Sequence, residues 1–214
     1  METLFRILAT LSTGLLALLL VGMLRRGRVR VCYTFFAYVT AATIFSTLIF
    51  LFPEHYTPEA FIVKQGIYDS LLFGMALELS CRVFSAFRGI AGKARLLLAL
   101  SVVISSAIVF VLTPANSDYA HLARYQPGIT TAGLWCLTFV ALLIVWYQVP
   151  VPHFTRAILL AYVPYLVVFV VYVDLIGRLG WGVIHNLNVL NAAAYSAAVG
   201  YLAHAAWRQD GATA

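Results

Sequence analysis

The sequence predicts an all-α integral membrane protein with seven transmembrane helices. Of its 214 residues, 63% are hydrophobic and only 10% are charged, whereas soluble domains carry about 25% charged residues. The mean hydropathy of +0.92 also indicates a chain surrounded mostly by lipid. A helix needs about 20 apolar residues to cross the hydrocarbon layer. Such stretches occur at about residues 5–24, 33–53, 60–84, 96–113, 128–148, 155–176 and 183–206.

These seven predicted spans occupy almost the whole chain, which predicts a single transmembrane domain over residues 1–214. The first span is followed by "RRGRVR" and by no small-residue cleavage site. We therefore expect a retained helix rather than a secretory signal peptide.

The loops predict the orientation, because cytoplasmic loops carry an excess of Lys and Arg. Basic residues follow spans 1, 3, 5 and 7: Arg25, Arg26, Arg28, Arg30, Arg82, Arg88, Lys93, Arg95, Arg156 and Arg208. The other loops carry mostly the acidic residues Glu54, Glu59, Asp118 and Asp174. The N-terminus is thus predicted outside and the C-terminus in the cytoplasm. This asymmetry also explains the net charge of +6 without a nucleic-acid partner.

Two features concern packing within the bilayer. Pro164 falls inside the sixth span, where its ring removes a backbone hydrogen bond and favours a kink. Ala192, Ser196 and Gly200 recur every four residues on the seventh span. Small residues at this spacing allow helices to approach closely. They predict either packing within the chain or a seam between copies or subunits.

Two carboxylates have basic residues four positions later in the chain. Glu78 precedes Arg82, which can extend to the interface and still reach back to the carboxylate. Asp174 precedes Arg178 at the outer end of the sixth span. Both pairs are interpreted as structural ion pairs near the membrane rim.

Asp69 has no such neighbour. It lies roughly 13 Å below the outer end of the third span, at 1.5 Å per residue. An ionised aspartate at that depth costs about 2.5–3.5 kcal/mol on insertion scales. Lys64 lies five residues earlier, about 140° around the helix, which is poor geometry for a pair. A partner from another helix, or protonation of Asp69, is therefore expected.

Polar side chains at a similar depth predict a cluster around Asp69 in the outer half of the bundle. Its members on three spans are Lys64, Gln65, Tyr68, Asp69, Thr130, Thr131, His185, Asn188 and Asn191. In lipid these groups must find partners inside the protein. Three hypotheses remain open: a structural hydrogen-bond network, a ligand pocket open to the outside, and a proton or ion path.

Several chemistries lack the residues they require. The seventh span has no lysine for a retinal Schiff base, and its two histidines, His185 and His204, lie on opposite sides of the membrane. Scattered histidines and unpaired Cys32, Cys81 and Cys136 predict neither a metal site nor a disulfide framework. No hydrolase elbow or phosphate-binding loop occurs. A catalytic role is therefore not favoured, and no particular cofactor is indicated.

The second span contains Phe35, Phe36 and Tyr38, and the third contains Tyr68 and Glu78. In this pattern the two spans resemble a group of small, acidobacterial-type seven-helix proteins. The resemblance implies the seven-helix plan and no particular activity. The plan is also similar to the seven-helix sensor regions of bacterial histidine kinases, although this chain ends in "WRQDGATA" without a kinase domain.

The sequence thus predicts a multi-pass protein of the bacterial cytoplasmic membrane. The favoured function is a non-enzymatic, ligand-binding or sensory protein that acts through a protein partner in the membrane or at its cytoplasmic face. The alternatives are an accessory subunit of a larger membrane complex and a small transporter.

Overall fold

The computed structural model describes residues 2–52, 57–84, 118–179 and 184–208. Within these ranges the chain is helical and contains no strand, so the predicted all-α class is confirmed. The helices are α1 (Glu2–Arg25), α2 (Tyr33–Leu51), α3 (Pro58–Phe84), α4 (Asp118–Trp146), α5 (His153–Leu179) and α6 (Ile184–Trp207). A single 3₁₀ turn, Arg28–Val31, connects α1 to α2.

Six of the predicted spans correspond to these helices, whereas the span predicted at 96–113 lies outside the described residues. The largest difference in bounds is at α4, which begins at Asp118 rather than near residue 128. Hydropathy detects only the apolar part of a helix. The helix itself continues through polar residues, because each added residue contributes one more backbone hydrogen bond.

Three described helices contain segments long and apolar enough to cross a membrane: Arg6–Arg25, Tyr33–Leu51 and His153–Tyr172. In α4 the apolar segment Thr131–Trp146 is shorter. The exterior is rich in large apolar side chains, such as Val145 and Trp146, which are 76% and 82% exposed. Such an extensive apolar surface is typical of contact with a membrane or with other proteins.

The six helices pack in a closed ring in chain order. Each helix contacts its neighbours in sequence, and α6 closes the ring against α1. The core between them contains large buried side chains from every helix, among them Met23, Phe35, Met75, Leu137 and Phe154. This arrangement surrounds a common interior in which polar side chains of several helices can meet.

The contact between α1 and α6 is the most extensive in the ring. Ser196 donates a hydrogen bond to the carbonyl of Leu8 at 3.4 Å, and Leu15 lies 3.6 Å from the Cβ position of Gly200. Near the other end, Trp207 Nε1 donates to the carbonyl of Leu18 at 3.0 Å. The small-residue face of α6 therefore packs within the chain.

Arg28 connects the turn between α1 and α2 to the C-terminal end of α6. Its guanidinium donates to the carbonyl of Ala206, at 3.0 Å in the last turn of α6, and to that of Arg208, the residue after the helix. It also lies 5.3 Å from the ring centre of Phe154 on α5. Arg28 is buried, since the carbonyls at the end of α6 need donors.

Candidate functional site

One cavity of about 320 Å³ lies among α1, α2, α3, α5 and α6. Its lining comes from the N-terminal halves of α1, α3 and α6, and from Tyr38, Ser46 and Ile49 of α2. The rest of the lining belongs to the middle of α5. The contacts between α1 and α6 pair Leu8 with Ser196 and Leu18 with Trp207, so these two helices run in the same direction and their N-terminal halves lie at the same end of the bundle. We call this space the tyrosine cavity, after the residues described below.

Asp69 is the buried acid of the tyrosine cavity. It is 8% exposed, and its Oδ1 accepts a hydrogen bond from Gln65 Nε2, one helical turn earlier, at 3.0 Å. Within the described part of the chain, no cationic side chain lies within ion-pair distance of this carboxylate. The carboxylate is thus held by a neutral amide on its own helix.

Asn191 brings a second acceptor to the same cavity from α6. Its Oδ1 atom is inaccessible to solvent and has no hydrogen-bond partner among the described residues. An unsatisfied buried oxygen of this kind costs about 1–3 kcal/mol. The cavity therefore contains two hydrogen-bond acceptors, on α3 and α6, that the described side chains leave incompletely satisfied.

Aromatic rings form much of the remaining lining. Their members are Tyr38, Tyr68, Tyr162, Tyr165, Phe169 and Tyr195. The rings contact one another in a chain: Tyr38 lies 5.4 Å from Tyr68 and 5.5 Å from Tyr162 between ring centres. Tyr165 lies 5.3 Å from Tyr195. These separations are those of favourable aromatic pairs, which fix the rings around the cavity.

The structure brings together part of the predicted polar cluster. Lys64, Gln65, Tyr68, Asp69 and Asn191 all line the tyrosine cavity.

The other predicted members are placed differently. Asn188 accepts a hydrogen bond from the hydroxyl of Tyr172 and so connects α6 to α5. Thr131 is half-buried on α4 and is not part of the described cavity lining. The side chains of Thr130 and His185 lie outside the part of the chain that the structure describes.

Sequence reasoning placed Tyr68 in the cluster but missed the aromatic residues that α5 contributes to the site. On α5, Tyr162, Tyr165, Phe169 and Tyr172 follow one another at intervals of three and four, which places their side chains on one face of the helix. This spacing was visible in the sequence. It did not distinguish an apolar packing face from the wall of a cavity, because aromatic rings serve both.

The carboxylates of the two predicted ion pairs either lie away from this cavity or belong to residues outside the described part of the chain. Glu78 accepts from Arg82 at 2.7 Å, and its remaining hydrogen bonds go to the beginning of α2. The side chains of Asp174 and Arg178 fall outside the described residues.

In the described ranges, no three His, Cys, Asp or Glu side chains are arranged to hold a metal ion. Cys32, Cys81 and Cys136 are free thiols.

The tyrosine cavity can therefore bind a molecule by hydrogen bonds and ring contacts. Comparison of the chain with models of protein families, with curated proteins and with solved structures finds no match.

Proposed function

We propose that this protein is a ligand-binding or sensory protein of the bacterial cytoplasmic membrane and that the tyrosine cavity is its binding site. In this proposal the chain has seven spans with its N-terminus outside, so the cavity lies in the outer half of the bilayer. Binding would alter the packing of the ring and act on a protein partner at the cytoplasmic face.

The observation that carries the proposal is the unsatisfied chemistry of the cavity. A polar cluster that served only to hold helices together would satisfy its own groups, because unpaired polar atoms are costly in a bilayer. Here Asn191 Oδ1 has no partner among the described residues, and Asp69 has only the amide of Gln65. A ligand that supplies hydrogen-bond donors would complete Asp69 directly, and it would complete Asn191 once the amide of that residue turns into the cavity.

One feature that suggested an accessory subunit was the small-residue face of α6 as a contact surface, beside the short loops and the aromatic-rich exterior. That face packs against α1, through Ser196 and Gly200. A partner would therefore have to use another surface. This observation favours the binding function over the subunit function. The proposed binding function still includes a protein partner at the cytoplasmic face.

Native mass spectrometry of the untagged protein, extracted gently from its own membrane, tests the proposal. We expect a chain that carries a small molecule, and we expect Asp69→Asn to lose that molecule. The thermal midpoint should change little, because an asparagine oxygen at position 69 can still accept from Gln65. Partner chains at fixed stoichiometry, with no small molecule present, would instead support the accessory-subunit function.

A further inference from the structure

We propose that the ligand of the tyrosine cavity is a small organic ammonium compound, that is, a protonated amine on an apolar or aromatic body. This inference rests on the proposed function, since it assigns a chemical class to the same site. Three observations support it: the acceptors of the cavity, its ring faces and the position of its lysine.

The acceptors require a ligand that donates. Asp69 offers a carboxylate that is 8% exposed, and Asn191 offers an amide oxygen without a partner among the described residues. An ammonium group carries several N–H donors and a positive charge. It can bond to Asp69 and neutralise the buried carboxylate, and it reaches Asn191 Oδ1 only if that amide turns towards the cavity. A neutral alcohol would supply one donor and no charge, and a carboxylate ligand would be repelled by Asp69.

The aromatic rings of the lining favour the same class. Cations within about 6 Å of a ring centre are attracted by the negative face of an aromatic ring. The cavity is bounded by rings from four helices, including Tyr38, Tyr68, Tyr165 and Tyr195. Because the Tyr38–Tyr68 and Tyr165–Tyr195 centres lie 5.4 and 5.3 Å apart, a cation at either pair can lie close to two rings.

Lys64 is the only cationic side chain in the described lining. It is half-buried and lies five residues before Asp69 on α3. That separation is roughly 7.5 Å along the helix axis, with a rotation of about 140°. Lys64 is therefore set apart from the carboxylate, nearer the beginning of α3. The ammonium group of a ligand is expected at Asp69, with its apolar body among the rings.

A cysteine reporter provides the test in the full-length protein. The native cysteines are replaced by Ser or Ala, and Ser46→Cys is introduced in the cavity wall. Thr47→Cys is the matched control, because the adjacent Thr47 is exposed on the exterior of α2. Labelling is measured with a trimethylammonium-ethyl methanethiosulfonate and a sulfonatoethyl methanethiosulfonate. Protection is then measured with 2-phenylethylammonium, 2-phenylethanol and 3-phenylpropionate.

We expect Ser46→Cys to be labelled faster than Thr47→Cys and to prefer the cationic reagent. The amine should protect at a concentration at least about tenfold below that of the alcohol or the acid, since a hydrogen bond between charged groups is about twice as strong as one between neutral groups. Asp69→Asn should abolish this difference. Lys64→Gln should preserve the stronger protection by the amine, because Lys64 contributes no hydrogen-bond acceptor to the site. Thermal unfolding of each variant monitors folding.

The contrary outcomes separate the two proposals. If both reagents fail to label Ser46→Cys faster than Thr47→Cys, the cavity is not open to water, and the proposed function and the ammonium ligand both fail. If labelling is fast but the alcohol or the acid protects as well as the amine, the cavity remains a binding site and only the ammonium assignment is overturned. Loss of the amine preference in Lys64→Gln alone would also overturn that assignment.

Discussion

Glu78 on α3 accepts a hydrogen bond from the backbone N–H of Thr34, at 2.8 Å, in the first turn of α2. The same carboxylate accepts from the Thr34 hydroxyl at 2.6 Å and from the Tyr33 N–H at 3.0 Å. The N-cap residue of α2, Cys32, makes no side-chain cap hydrogen bond. Glu78 thus supplies from a neighbouring helix the acceptor that α2 lacks, and its charge complements the helix dipole.

Removal of this carboxylate should destabilise the fold more than removal of its arginine. We expect Glu78→Ala to lower the free energy of unfolding by about 2–3 kcal/mol, because charged hydrogen bonds to the first turn of α2 are lost. Arg82→Ala should cost less than about 1 kcal/mol, since Arg82 is 40% exposed in the pair. Thermal or denaturant unfolding in a mild detergent compares the two. Equal losses would mean that the ion pair, and not the cap, is the main contribution.

The close approach of α1 and α6 predicts opposite effects at two glycines of the same helix. A Cβ at Gly22 would lie 2.8 Å from Trp207 Nε1, so Gly22→Ala must displace the indole from the carbonyl of Leu18. The expected loss is about 1–3 kcal/mol, as for other overpacked sites.

Gly14→Ala is the matched control, since no atom lies within 4 Å of its Cβ position. Alanine there should be neutral or should stabilise α1 by up to about 1 kcal/mol, because it is the better helix former. Unfolding midpoints in detergent check both variants, and Trp fluorescence reports displacement of Trp207. A Gly22→Ala protein as stable as the Gly14→Ala protein would contradict the described packing.

Even a conservative replacement of Arg28 should destabilise the protein. Arg28→Lys keeps the charge but loses the planar group that bonds two carbonyls of α6 and contacts the ring of Phe154. We expect this change to lower the free energy of unfolding by about 1–3 kcal/mol. Arg30→Lys, at an exposed position of the same turn, should stay within about 0.5 kcal/mol of the parent. Similar values for both variants would show that the buried contacts of Arg28 contribute little.

Cys32 should be an unreactive thiol at neutral pH. Burial, reinforced by the charge of Glu78, raises the pKa of Cys32 to about 11. Because the thiolate is the reactive form, its maleimide labelling rate should rise about tenfold per pH unit from pH 8 to pH 10. The same thiol in the unfolded chain has a pKa near 8.5, so its rate should level off above about pH 9.

A protein whose only cysteine is Cys32 permits this measurement by mass spectrometry, with the chain unfolded in dodecyl sulfate as the control. If the folded and unfolded profiles level off at the same pH, the pKa of Cys32 is not raised. A uniformly slow rate that does not change with pH would indicate that access of the reagent, and not ionisation, limits the reaction.

By itself, the sequence determined the helices and the apolar character of the chain. Helical hydrogen bonds join residues four apart, and hydropathy is a property of composition, so both can be read locally. Local reading also identified Asp69 as an acid without a well-placed basic neighbour, and it grouped Lys64, Gln65, Tyr68 and Asn191 by depth. The expectation that the hydrogen-bond partner of Asp69 would come from another helix was wrong, because Gln65 lies one turn earlier on the same helix and donates to the carboxylate.

Only the tertiary structure decided which faces meet. Depth does not specify how a helix is rotated, so Asn188 was expected at the cavity but bonds Tyr172 instead. Likewise, nothing near Cys32 in the sequence indicates that Glu78, on another helix, caps α2. The walls of the tyrosine cavity come from five helices. Whether these walls meet depends on the order of the helices around the bundle and on the rotation of each helix about its axis. Contacts between residues distant in the chain set both of these, and no local pattern records them.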